Sequence, residues 1–88
     1  MEHGHVVSEA TLASLAKQAR TEAGVTQAKA ARQLGVSQGN IAYAENDPRR
    51  SLTKLRKAMI ALYAGGYEVR GPYFVIARKT DKLDDMYF

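Results

Sequence analysis

Cysteine is absent from the 88 residues, which removes disulfides, thiolate zinc sites, zinc fingers and cysteine nucleophiles from consideration and fits a reducing cytoplasm. No apolar run approaches the roughly 20 residues that a membrane-crossing helix requires. Met1 to His5 also lack the charged-then-apolar pattern of a secretion signal. The expectation is a soluble, unexported, cytoplasmic chain with no membrane partner. Repeats and low-complexity segments are missing as well. No serine has a histidine partner that spacing reveals, and the acids of the body are scattered singly, so catalysis has no support and no cofactor is expected. His3 and His5 stand beside Gly4 with Glu2 as the one carboxylate nearby, and they read as solvated side chains rather than metal ligands.

Positive charge is in excess. Thirteen Lys and Arg face nine Asp and Glu, a formal net charge of +4, with an isoelectric point near 9.6. Asp81, Asp84 and Asp85 crowd the last residues against Lys82, so a basic body carries an acidic tail. An excess of Lys and Arg favours a polyanion such as nucleic acid. The hydrophobic share of 45% with 25% charge is that of a folded domain. The length allows one domain, small enough to gain from oligomerisation.

Periodicity places four helices. Ser8 caps the first, whose stripe is Leu12, Leu15, Ala16, Ala19 and Ala23, and Gly24 stops it. Thr26 caps a second, with Ala30, Ala31 and Leu34 inward and Lys29, Arg32 and Gln33 outward. Gly35 ends it in the left-handed conformation that glycine adopts cheaply. Ser37 caps a third helix running to about Glu45, with Ile41 and Ala44 inward. After the loop Asn46 to Arg50, Ser51 is expected to cap a fourth, whose Leu52, Leu55, Met59 and Leu62 share a face until Gly65 and Gly66. From Tyr67 the residues turn aromatic and β-branched, interrupted by Gly71 and Pro72, which reads as a hairpin or a bent strand.

Helix, glycine turn and helix, with Ala31 at the close approach and Ile41 as the plug, is the geometry in which one helix braces on the DNA backbone while the next lies in the major groove. The stretch AGVTQAKAARQLGVSQGNIAYAEND, followed by SLTKLRKAMIAL, resembles the phage-repressor and Cro-like (XRE-family) helix-turn-helix over residues 9–64. The resemblance implies a mainly α fold, a four-to-five-helix repressor-like domain, here with a C-terminal β-hairpin or strand. It implies a sequence-specific, usually dimeric regulator of double-stranded DNA that acts as a transcriptional repressor. The alternative it leaves is an antitoxin that neutralises a cognate toxin protein and represses its own operon. RNA is disfavoured, because no aromatic platform for bases accompanies the basic residues of the four helices.

Site residues follow from the resemblance position by position. Gln27 matches a glutamine that contacts phosphate and buttresses the first glutamine of the recognition helix, Gln38. Ser37, Gln38, Gly39, Asn40 and Tyr43 match the surface that faces bases and nearby phosphates. The plainer alternative is that Ser37 only caps and Tyr43 only packs. Gly39 departs from the pattern, since relatives often carry a base-reading side chain there; readout then leans on Gln38, Asn40 and Tyr43 or on DNA shape, unless Gly39 admits phosphate close to the backbone. Arg20 and Glu45 match a pair that ties the first helix to the end of the third. Lys29, Arg32, Arg49, Arg50 and Lys54 are candidate phosphate contacts, whereas Arg56 and Lys57 read as solvated surface.

The chain accordingly divides into a flexible N-terminus (1–7), a DNA-binding domain (8–64), a strand or hairpin that dimerises (65–79) and an acidic-aromatic tail (80–88). Homodimerisation is expected on Tyr67, Val69, Tyr73, Phe74, Val75 and Ile76, which supply more apolar surface than four short helices cover. In the tail the acids alternate with Leu83, Met86, Tyr87 and Phe88, suited either to the dimer or to a basic partner.

Overall fold

The computed structural model describes residues 8–65, 67–70 and 75–78. His3 and His5, Tyr73 and Phe74, and the tail 80–88 lie outside the described residues.

Each of the first three helices begins at a hydroxyl that accepts a backbone N–H. Ser8 takes the amide of Thr11 at 3.2 Å to start α1 (Glu9–Glu22). Thr26 takes that of Lys29 at 3.1 Å for α2 (Gln27–Leu34), and Ser37 that of Asn40 at 3.1 Å for α3 (Gln38–Asn46). Each such cap satisfies an amide that the helix itself cannot and is worth about 1 kcal/mol. The fourth helix, α4 (Thr53–Tyr63), departs from expectation. Arg50 and Leu52 close a tight turn, the Leu52 amide donating to the Arg50 carbonyl at 2.9 Å. The chain is thereby carried past Ser51, and α4 starts from Leu52 with no side-chain cap.

The face of α4 also differs. The expected stripe of Leu52, Leu55, Met59 and Leu62 is rotated, for the fully buried residues are Arg56, Met59 and Ile60, while Leu62 is 51% exposed. At roughly 100° per residue, Leu55 and Leu62 stand about a quarter turn or more from Arg56 and form the edge of the face. Arg56, expected in solvent, is instead 0% exposed.

Alanines bring the helices close. Leu12 and Ala16 of α1, Ala30 and Ala31 of α2, Ile41 and Ala44 of α3, and Met59 and Ile60 of α4 make one core, with Leu15, Leu34 and Leu55 packed around it. Ala23, expected in the α1 stripe, is exposed at the end of that helix. Beyond α4, β1 (Tyr67–Arg70) and β2 (Val75–Arg78) pair antiparallel, Tyr67 opposite Arg78 and Arg70 opposite Val75. β1 packs back on α4. Val69, expected in a dimer interface, consequently joins the core of its own chain at 7% exposure.

Candidate nucleic-acid interface

α2 and α3 meet across a turn three residues long. Gly35 holds φ +68°, and a Cβ built there would touch nothing within 4 Å. Glycine is therefore required by backbone conformation and not by space. The amides of Gly35 and Val36 both donate to the Ala31 carbonyl, the second at 3.0 Å, closing the end of α2. Ser37 then opens α3 at once. The helix turns Ile41, Ala44 and Glu45 inward and leaves Gln38, Gly39, Asn40, Tyr43 and Asn46 exposed. Gly39 has ordinary helical backbone, and a Cβ there would meet only the Ser37 hydroxyl at 3.8 Å. Nothing within the described residues demands a glycine at that position.

Glu45 fastens this helix from below. Two nitrogens of the Arg20 guanidinium, Nε and Nη2, donate to its two carboxylate oxygens, Nη2 at 2.9 Å, while Arg20 Nη1 donates to the Val25 carbonyl at 2.7 Å. Glu45 is 5% exposed and Arg20 8%. The hydrogen bond from Arg20 to Glu45 raises the guanidinium's affinity for its proton, outweighing the opposing effect of burial. Gln27 adds a third donor, its amide reaching Glu45 Oε1 at 3.1 Å. The expected Gln27–Gln38 contact is not among the hydrogen bonds of the described residues, where the Gln27 amide donates to the buried Glu45 carboxylate, a strong acceptor.

A second group lies past the end of α3. The Arg50 guanidinium stacks on the exposed Tyr43 ring, 3.7 Å from its centroid, a cation–π arrangement. Asp47 faces both loop arginines, Oδ1 3.6 Å from Arg49 Nε and Oδ2 3.5 Å from Arg50 Nε. The Arg49 side chain is 93% exposed. Lys54 and Asn40 line a shared open groove of about 540 Å³, walled by Leu34, Val36, Leu52 and Leu55. Lys29 and Arg32 are exposed on α2, and no hydrogen bond or ion pair among the described residues ties their side chains to either group.

The structure brings together what sequence spacing separates: Arg20, Gln27 and Glu45 in one cluster, Tyr43, Asp47, Arg49 and Arg50 in another. Sequence reasoning missed the buried role of Arg56. Its signal was slight, an arginine at the centre of the α4 stripe one residue from Leu55. Among the described residues no helix is long and apolar enough to cross a membrane.

Comparison with known proteins agrees with this geometry. A family model described as helix-turn-helix matches residues 17–62, more than half of the chain and the span from mid-α1 to the last turn of α4. No curated protein and no solved structure matches the chain. The chain belongs to the helix-turn-helix family of the Cro/C1 (XRE) type, and with it to the DNA-binding regulators of transcription.

Proposed function

We propose that this protein is a dimeric repressor that reads the major groove of double-stranded DNA with α3. The observation that carries the reading is the division of α3 into two faces. Ile41, Ala44 and Glu45 are locked into the body, while Ser37, Gln38, Gly39, Asn40 and Tyr43 stand clear of it. A helix held so firmly on one side loses little entropy when its other side meets a groove.

Gln38 and Asn40 carry amides that donate to and accept from a base edge, and Tyr43 flanks them with Arg50 stacked on its ring. Ser37 and the N-terminal turn of α2, with Gln27 and Lys29, face phosphate. Arg49, Arg50 and Lys54 hold the neighbouring strand, and Arg32 adds to the positive field. Gly39 leaves the DNA backbone room to approach.

The dimer forms through the C-terminal strands. Among the described residues β1 and β2 pair only with each other, so each has an open edge, and a lone two-stranded sheet is marginal in water. Val69 belongs to the monomer core, which leaves Tyr67, Tyr73, Phe74, Val75 and Ile76 for the second copy. Two copies would set their α3 helices about 34 Å apart, one turn of DNA.

Selection of bound duplexes from a randomised pool yields the operator, expected as two half-sites in inverted repeat. Gln38→Ala is then expected to lower operator affinity by about 1–3 kcal/mol with little effect on a scrambled duplex, whereas Arg49→Ala weakens both alike. An operator preference that survives Gln38→Ala unchanged contradicts the assignment.

A further inference from the structure

Arg56 is 0% exposed, and all three of its guanidinium nitrogens are bonded. Nε donates to the Ala44 carbonyl at 2.8 Å, Nη2 to the Asp47 carbonyl at 2.6 Å, and Nη1 to the Arg50 carbonyl at 3.0 Å and to Glu9 Oε1 at 2.7 Å. Glu9 supplies the countercharge and is itself held by the Thr53 hydroxyl at 2.8 Å. Three of the four acceptors are backbone carbonyls, all from the end of α3 and the loop after it.

Pro48 explains the need for them. Were α3 to continue, the Ala44 carbonyl would accept the amide of residue 48, but proline has no N–H. Its ring also disfavours helical backbone in the residue before it, and Asp47 stands at φ −128° and ψ 86°. The Tyr43 carbonyl keeps its helical partner, the Asp47 amide at 2.9 Å. Ala44 loses its own, and Arg56 Nε supplies the donor. The remaining two nitrogens then grip the loop on either side of Arg49, at Asp47 and at Arg50.

We infer that Arg56 is a positioning residue for DNA binding: it closes the C-terminal end of α3 in place of the amide Pro48 lacks and holds the loop from which Arg49 and Arg50 reach phosphate. The inference rests on the proposed phosphate role of those two arginines. Arg56 itself, buried beneath them, touches no DNA. Lysine in its place keeps the charge but not the planar fork that spans three carbonyls.

The test is the salt dependence of binding to a mixed-sequence DNA duplex, measured well below each variant's melting temperature. The Arg49→Ala/Arg50→Ala variant sets the scale, since the slope of log affinity against log salt falls by about 0.9 for each phosphate that is no longer neutralised. Arg56→Lys is expected to lose a large part of the same slope, and to lose no more when added to that double variant. Glu9→Gln, which leaves the carbonyl bonds of Arg56 in place, is expected to melt lower and keep the wild-type slope. If Arg56→Lys melts lower but retains the full slope, Arg56 is a core element alone and the inference is overturned. Should Arg56→Lys be unfolded in buffer, the titrations are run in trimethylamine N-oxide, which favours the compact state. A double variant with the wild-type slope would instead overturn the phosphate role of Arg49 and Arg50, and the inference with it.

Discussion

Glu45 receives three donors from two helices, and that convergence fixes α3 against α1 and α2 at once. Arg20 contributes two nitrogens and Gln27 one. Removing the cation leaves a carboxylate whose side chain is 0% exposed with a single amide for company, so Arg20→Ala is expected to cost about 3–5 kcal/mol in urea unfolding and to weaken DNA binding with it. A variant that unfolds and binds like the parent would reduce the pair to a bystander. Gly39 offers the opposite case. Alanine fits there, meeting only Ser37 Oγ at 3.8 Å, and should stabilise the free protein by about 0.5–1 kcal/mol. If the glycine serves a close approach of DNA, Gly39→Ala raises the melting temperature while lowering affinity; a rise in both removes that role. The family pattern made Arg20 and Glu45 legible as partners. It could not reveal that Gln27 joins them, because that bond depends on where the carboxylate is buried.

The turn between α2 and α3 was legible because every determinant is local. Thr26, Gly35 and Ser37 act within a few residues of themselves, through caps and one left-handed φ. α4 was misread for the opposite reason. Its face is centred on a residue whose partners, Glu9, Ala44, Asp47 and Arg50, lie six to forty-seven positions away, and hydrophobic periodicity passes over a buried arginine. α4 is also tied to α2, the Tyr63 hydroxyl donating to Gln33 Oε1 at 2.5 Å. Burial raises the Tyr63 pKa above the usual 10.0, partly offset by the positive charge of Arg20. A phenol whose folded pKa is raised stabilises the fold fully below the unfolded value and loses that contribution as pH rises through the folded one. Stability is therefore expected to fall above pH 10.0 more steeply in the parent than in Tyr63→Phe, read from urea midpoints across the alkaline range. Parallel decline of the two proteins would exclude Tyr63 as the source.

The proposed dimer joins the basic excess and the open strand edges in one event, the meeting of two chains on one duplex. In that proposal the net charge of +4 supplies the sequence-independent attraction, and a symmetric pair of recognition helices supplies register. Light scattering of the intact chain is expected to give a dimer, and Tyr73→Lys/Phe74→Lys, which places charge in the apolar stretch that precedes β2 in sequence, a folded monomer. A dimer undisturbed by both lysines would place the interface elsewhere. Composition leads to the expectation that the apolar residues from Tyr67 onward meet a second copy. It could not show that β1 spends Val69 on its own helices, since period-two alternation does not say which body a face meets. The expectations about DNA depend on the exposed side of α3 being the side that meets it. The most direct measurement is the set of backbone amide NMR shifts that a mixed-sequence duplex perturbs: the account predicts changes concentrated at Gln27, at Ser37 to Tyr43 and at Arg49 and Arg50. Perturbations confined to α1 and the outer edge of α4, with α3 unmoved, would contradict it.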